Sequence, residues 1–198
     1  SGNITLSGAL TGGGVLTVRD GKAQSYQALT VDSLDIQDAT TSVTLDGAVT
    51  TQTTLDINSG GTLTQNKKVI AGTSLDYDAG GALSINETIA ATTTIDIDAT
   101  GVTTIAEAGD ITSSGAVTFG ANKTGTLTTA GEITTTDDNV TFTNAVTQSG
   151  DVTIDTGAGA GNILFKSTVA TGDKNLTLDA GSAGNITAAS SITGGGNL

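Results

Sequence analysis

The sequence lacks five residue types: its 198 residues include no cysteine, methionine, histidine, proline or tryptophan. Without cysteine there is no thiolate nucleophile, no Cys-based zinc site and no disulfide framework. Without histidine the chain loses the usual proton shuttle at neutral pH and the commonest metal ligand. Without proline every backbone N–H remains available for pairing between strands.

Positive charge is also scarce, with 7 Lys and Arg against 20 Asp and Glu and a net charge of −13. Such a chain is a poor electrostatic match for the phosphates of a nucleic acid or for an anionic membrane surface. No apolar run approaches the ~20 residues that a membrane-spanning helix needs. We therefore expect neither nucleic-acid binding nor membrane insertion of this segment.

Aromatic residues make up only 3% of the chain, whereas threonine, valine and isoleucine recur throughout, often at every second position. Their branched Cβ atoms favour extended backbone and pack well on a pleated surface. Few stretches favour a helix. The composition therefore predicts an all-β protein.

A short repeat of alternating apolar and polar residues organises the chain, which is the pattern of a strand with one buried face. Its apolar first positions recur about every 20 to 23 residues, at Leu34, Leu55, Leu75, Ile95, Val117 and Val140. A second apolar element follows a Gly corner, as in 60–66 and 80–86. A third lies near Ile70, Ile89, Ile111 and Ile133.

Three short strands in about 20 residues predict one coil of a three-sided parallel β-helix, a β-solenoid. We expect ~20–24 residues per coil and about nine coils, which gives a rod roughly 40–45 Å long. We interpret residues 1–198 as one continuous solenoid segment with regular coils over 30–142 and less regular repeats over 143–198. Residues 151–165 resemble 174–187 there, and the phase between 142 and 152 stays open.

The two ends of the chain also resemble each other. Residues 2–14 align without gaps to 184–196, with 8 of 13 positions identical. This match predicts a super-repeat in which the tail re-enters the phase of the head. We therefore expect the chain to be a fragment or repeat unit of a longer protein, or to stack end to end.

The most distinctive candidate site is acidic. Outward positions on successive coils form a first row of Asp35, Asp56, Asp76 and Asp96 and a second row of Gln37, Asn58, Asp78 and Asp98. Carboxylates about 4.8 Å apart repel each other, and a shared cation would relieve the repulsion. Because Ca²⁺ accepts six to eight oxygen ligands in irregular geometry, the best candidate site comprises Asp76, Asp78, Asp96 and Asp98. The competing interpretation is a solvated face that keeps the rod soluble. We expect that the protein requires no cofactor, and Ca²⁺ is the one ion proposed to bind.

Two further constellations have competing interpretations. Stacked carboxylates at Glu87, Glu107 and Glu132 allow a glycoside hydrolase on a β-helix face. The scarcity of aromatics and the single arginine argue against this enzyme, so we expect a non-catalytic protein. The five aromatic residues suggest a sugar-stacking platform; they are Tyr26, Tyr77, Phe119, Phe142 and Phe165. Because Tyr77, Phe119 and Phe142 share the inward position of the repeat, we interpret these three as core fillers instead.

Residues 2–13, 149–165 and 175–187 resemble the repeats of giant bacterial surface proteins of the filamentous-haemagglutinin and large-adhesin type. The resemblance covers essentially the whole chain. It implies a right-handed parallel β-helix, secretion to the bacterial cell surface, and a role as a stalk, fibre or adhesin. The partners it implies are further copies or flanking repeats of the same protein and cell-surface or environmental glycans. It assigns no ligand to particular residues.

Overall fold

A computed structural model describes residues 2–197, and this part of the chain consists of strands and turns without a helix. Its 28 strands form three sheets, and each sheet takes every third strand of the chain. All strand pairs are parallel, as in the pairing of Leu63 with Leu83. The protein is a three-sided parallel β-solenoid, as its repeats predict.

Sheet A has ten strands, numbered in chain order: β1 Ile4–Leu6, β4 Ala23–Tyr26, β7 Ser42–Leu45, β10 Thr62–Gln65, β13 Leu83–Ile85, β16 Thr103–Ile105, β19 Leu127–Thr129, β22 Val146–Gln148, β25 Val169–Gly172 and β28 Ile192–Gly194.

Sheet B has nine: β2 Leu10–Thr11, β5 Leu29–Val31, β8 Val49–Thr51, β11 Val69–Ala71, β14 Ile89–Ala91, β17 Ile111–Ser113, β20 Ile133–Thr135, β23 Val152–Asp155 and β26 Leu176–Asp179.

Sheet C also has nine: β3 Val15–Arg19, β6 Ser33–Ala39, β9 Leu55–Ser59, β12 Leu75–Ala79, β15 Ile95–Ala99, β18 Val117–Phe119, β21 Val140–Phe142, β24 Ile163–Phe165 and β27 Ile186–Ala188.

The core is a set of side-chain columns that run along the axis of the solenoid. On sheet C each predicted apolar position lies over its equivalent in the next coil, from Leu34 and Leu55 through to Val140, and all of them are buried. Because every coil contributes the same kind of side chain at the same place, burial extends along one dimension and does not need a compact globule.

A column of stacked phenyl rings fills the C-terminal part of the core. The ring centroids of Phe119 and Phe142 lie 5.1 Å apart, and those of Phe142 and Phe165 lie 4.7 Å apart, with nearly parallel planes. Tyr77 occupies the same inward position three coils before Phe142. The interpretation of Tyr77, Phe119 and Phe142 as core fillers is confirmed, because all three are buried; Tyr26 and Phe165 are buried as well.

The third apolar element lies near Ile70, as predicted, and its inward residue is Val69. Val69 pairs with Ile89 and is fully buried, whereas Ile70 is 36% exposed. The two neighbours are both apolar and β-branched, so alternation alone does not fix which of them faces inward. The inward positions of Ile89, Ile111 and Ile133 are confirmed.

The segment between 142 and 152 contains an ordinary coil element. Strand β22 pairs with β19 on one side and β25 on the other, so sheet A continues through it. The predicted match of 151–165 with 174–187 is confirmed, because Val152 pairs with Leu176 and Ile154 with Leu178.

The prediction that the tail of the chain re-enters the phase of its head is wrong. The alignment equates Ile4 with Ile186, but Ile4 lies on sheet A and Ile186 on sheet C. Each face requires the same alternation of inward apolar and outward small residues, so one local sequence fits any of the three faces. The similarity therefore carries no information about phase.

Polar residues stack at the corners and satisfy the backbone there. Asn162 donates its backbone N–H and its side-chain amide to Oδ1 of Asn139, at 2.9 and 2.8 Å, and Asn185 repeats the arrangement on Asn162. Inside the core, the amide of buried Gln65 donates to the carbonyls of Lys67 and Glu87. Such bonds remove the cost of burying unpaired backbone carbonyls at each turn.

Candidate functional site

The first acidic row lies on the outer face of sheet C, as predicted. Asp35 pairs with Asp56, Asp56 with Asp76, and Asp76 with Asp96. The neighbouring position in the next coil is Thr118, where the acidic row ends. Adjacent strands of a sheet lie about 4.8 Å apart, so four carboxylates follow one another along the axis.

The second row is interrupted at its start. Asp78 pairs with Asn58 and with Asp98, as predicted. Gln37 does not continue this register, because the pairing of β6 with β9 shifts between Ile36 and Ala39. Two residues on β6 therefore face a single residue of β9, which is the arrangement of a β-bulge.

The bulge changes the role of Gln37. Asp38 within the bulge has a φ of 61°, a left-handed conformation that Asp tolerates better than most residues. The Gln37 amide donates to Oδ1 of Asp35 at 2.8 Å, so Gln37 stabilises the first row instead of extending the second.

Two residues from one turn bind the carboxylates at the far end of the second row. Lys123 forms an ion pair with Asp78, and Asn122 donates its side-chain amide to Asp98 at 2.8 Å. Both lie in the turn between β18 and β19. This turn is longer than the equivalent turn between β15 and β16, and it therefore reaches over the acidic face. At the opposite end, Arg19 lies 3.8 Å from Asp35. Asn122 and Lys123 could not be found from the repeat pattern, because their contact with the acidic rows depends on the length of the turn that carries them.

Crowding raises the pKa of the central carboxyl groups. Partial desolvation, followed by the charges of Asp56, Asp96, Asp78 and Asp98, raises the pKa of Asp76 to about 6. Desolvation and neighbouring carboxylates also raise the pKa of Asp56 and of Asp96. The row is therefore repulsive at neutral pH.

The predicted calcium ligands do not converge within residues 2–197. That part of the chain contains no group of three or more acidic side chains placed to hold a metal ion. Asp76 and Asp78 are two residues apart on the same strand, so their Cα atoms lie roughly 6.6 Å from each other. Asp78 and Asp98 already have Lys123 and Asn122 as partners. Calcium binding stays a prediction, tested by whether millimolar Ca²⁺ raises the melting temperature.

The predicted glutamate stack has a different composition in the structure. Ile111 donates its N–H to the Glu132 carbonyl, and Ile89 donates its N–H to the Asp110 carbonyl, so Asp110 and Glu132 precede equivalent strands. Asp110 also accepts the N–H of Glu132 at 3.0 Å. Glu107 lies in the turn before Asp110, outside this column. The proposed trio of glutamates is therefore wrong.

Two shallow depressions of about 500 Å³ lie on the surface of the C-terminal coils. One spans the outer face of sheet C from Asn139 to Thr187, and the other lies on sheet B around Leu176. Neither is lined by a carboxylate or an aromatic ring. They therefore lack the paired acids and stacking surfaces that glycoside cleavage uses.

No family model matches the chain, and no curated protein or solved structure matches it either. The class that the fold defines is the three-sided parallel β-solenoid. Over residues 2–197 there is no helix long and apolar enough to cross a membrane.

Proposed function

We propose that the chain is a segment of a non-catalytic extracellular fibre or stalk of a bacterial surface protein, which acts by extension and by displaying adhesive surfaces. The observation that carries the proposal is the unbroken parallel pairing of sheet A through ten strands. At about 4.8 Å per coil these strands span roughly 43 Å.

The interior supports a mechanical role. The buried columns continue from Tyr26 to Ala180 without a gap that would divide the rod into separate domains. A load along the axis is shared by three backbone ladders at once, and each coil is fixed by its two neighbours. Partners suggested by the sequence resemblance are flanking repeats of the same protein and surface glycans.

Surface display of the chain tests the proposal. A passive epitope is placed beyond the segment on a bacterial surface, with and without residues 1–198, and its height is measured by fluorescence localisation. A stalk raises the epitope by about 40 Å, because the coils stack at about 4.8 Å. The Phe142→Asp variant is the control: burying a charge in the phenyl column disrupts the coils. No gain in height over a segment-free display would contradict the proposal.

Adhesion is measured separately, with beads that carry the purified chain and panels of bacterial, plant and host glycans. Retention on a glycan surface that is lost with Phe142→Asp supports an adhesive role. Release of soluble sugar from any of these glycans would contradict the non-catalytic assignment.

A self-assembling filament subunit is the second candidate, in which β1 and β28, the outermost strands of sheet A within residues 2–197, pair between copies. Sheet A has one strand more than sheets B and C, so pairing β28 of one copy with β1 of the next leaves a strand missing on each of the other two faces. Electron microscopy of the purified chain distinguishes the candidates, because only the filament subunit gives threads longer than one rod.

A further inference from the structure

The outer face of sheet A carries a row of small residues, nearly all of which have a hydroxyl group. Every member pairs in register with the equivalent residue of the next coil. A hydroxyl is present in every coil except that of Ala170; the row is Thr5, Ser25, Thr44, Thr64, Ser84, Thr104, Thr128, Thr147, Ala170 and Thr193.

A second row runs beside it, two residues earlier in each strand or just before it. Backbone hydrogen bonds between coils, such as Leu63 to the Ala82 carbonyl and Leu83 to the Val102 carbonyl, keep its members stacked. All members are small and none is charged; the row is Asn3, Ala23, Ser42, Thr62, Ala82, Val102, Thr126, Ala145, Thr168 and Ser191.

This absence of charge distinguishes sheet A from the other two faces of a chain with a net charge of −13. Sheet C carries the acidic rows described above. On sheet B the outward residues include Asp155 and Asp179, which pair with each other, and Lys68, Asp110 and Glu132 stand immediately before its strands. The two rows of sheet A are therefore an uncharged strip along the whole described rod.

Hydroxyls in the middle of the strip are left to solvent. The side-chain hydrogen bonds made by the two rows within residues 2–197 lie towards the ends of the strip. Asn3 accepts from the Ala23 N–H, Ser25 donates to Asp46, and Thr193 donates to the Val169 carbonyl. From Thr44 to Thr147 the hydroxyls are free to bond to water.

The strip is a two-dimensional lattice. Neighbours along a row are about 4.8 Å apart, and the two rows are about 6.6 Å apart, because they are separated by two residues of a strand. The register of sheet A is unbroken up to the shift between Ala170 and Gly172. Threonine is stiff at χ1, so its methyl and hydroxyl groups hold their positions before any partner arrives.

Several classes of partner do not suit this lattice. A mineral or an ionic polymer requires charged groups, and the strip has none. Crystalline polysaccharides are held by exposed aromatic rings, and all five aromatics of the chain are buried. Protein interfaces have a core enriched in aromatics, methionine and arginine, which small hydroxyl residues do not supply.

We propose that the outer face of sheet A binds ice. Regularly spaced hydroxyls hydrogen-bond to water, and the methyl groups between them order the adjacent water shell, so the face holds a layer of water already arranged in rows. A growing ice crystal is a partner with the same character: periodic, uncharged and made of hydroxyl-type donors and acceptors. This activity is independent of the stalk function, since a stalk needs only the core.

Ice-affinity partition tests the proposal directly. The purified chain is exposed to a slowly growing ice surface, and the fractions in ice and in liquid are compared; crystal shape and recrystallisation are recorded in parallel. We expect the wild type to enter the ice and to inhibit recrystallisation, whereas ordinary solutes are excluded.

Matched double variants identify the face. Thr104→Lys with Thr128→Lys changes two adjacent coils of sheet A, and Thr112→Lys with Thr134→Lys changes two adjacent coils of sheet B. Circular dichroism verifies that both remain folded. We expect the sheet A variant to be excluded from ice and the sheet B variant to enter it like the wild type.

Three outcomes would overturn the proposal. The first is exclusion of the folded wild type from ice. The second is equal loss of partition in both double variants, which would place the binding elsewhere. The third is retention of the wild type on microcrystalline cellulose or calcium carbonate without any effect on ice.

Discussion

Replacing Asp76 by asparagine should stabilise the rod at neutral pH. Desolvation and the charges of Asp56, Asp96, Asp78 and Asp98 raise the pKa of Asp76 from 3.8 to about 6. A carboxyl whose pKa is higher in the folded state binds its proton more tightly there. The folded state is therefore least favoured above pH 6 and gains stability as the pH falls from 6 towards 3.8.

Two considerations limit the expected gain in the free energy of unfolding. A rise in pKa from 3.8 to about 6 corresponds to at most about 3 kcal/mol in the free energy of unfolding. Asp76 is exposed, so solvent and salt screen much of this repulsion, and measured surface charge interactions are about 1 kcal/mol or less. We expect Asp76→Asn to gain about 1 kcal/mol at pH 7.5 and low salt, and nothing near pH 3.5.

Urea unfolding followed by far-ultraviolet circular dichroism measures the difference between the variant and the wild type at several pH values. Asp20→Asn is the matched control: Asp20 is an exposed aspartate outside the acidic rows, and its φ of 61° suits asparagine. The gain should shrink in 0.5 M salt, where the Debye length is only about 4 Å. If Asp76→Asn is no more stable than the wild type at pH 7.5, the acidic row is not repulsive and the reasoning fails.

The remaining predictions concern the core and the corners. Phe142→Ala empties the middle of the phenyl stack and should cost about 3–5 kcal/mol in urea unfolding. The buried Tyr77 hydroxyl has no hydrogen-bond partner within residues 2–197. Tyr77→Phe should therefore raise the free energy of unfolding by about 1 kcal/mol and raise the melting temperature with it; a lower melting temperature would contradict this. A Cβ added at Gly61 would collide with the Thr41 carbonyl, whereas a Cβ added at Gly12 would have no atom within 4 Å. Gly61→Ala should therefore lower the melting temperature and Gly12→Ala leave it nearly unchanged.

The fold could be predicted because the same apolar position recurs in each coil. Parallel pairing between coils requires little beyond this recurrence, and Leu34, Leu55 and Leu75 stack as their spacing predicts. The recurrence alone does not identify the inward residue where two β-branched residues adjoin, as at Val69 and Ile70. Strand register is decided there by packing, which a single sequence shows only as a pattern.

The acidic site was predictable in part. Its rows follow from spacing alone, but the bulge at Gln37 and the partners Asn122 and Lys123 do not. A bulge depends on the backbone of two adjacent coils. The turn that carries Lys123 reaches Asp78 only because its coil is longer than the preceding ones. Both are properties of neighbouring coils together, so a repeat pattern read one coil at a time misses them.

The uncharged strip on sheet A was visible in the sequence only as abundant threonine. Its meaning depends on which threonines face outward on the same sheet, and the three faces become distinct only when the register is known. Thr64 and Thr104 face outward and belong to the strip. Thr103, the neighbour of Thr104 on the same strand, faces inward and is buried.

Distances between spin labels test the stacked-coil architecture most directly. The chain has no cysteine, so pairs of introduced cysteines carry labels at unique sites. Thr44 and Thr128 are four coils apart on sheet A, and Ser25 and Thr147 are six coils apart. Pulsed electron resonance should give separations near 19 and 29 Å, which increase by about 4.8 Å for each coil. Separations that do not increase with coil number would contradict the parallel solenoid and the functions inferred from it.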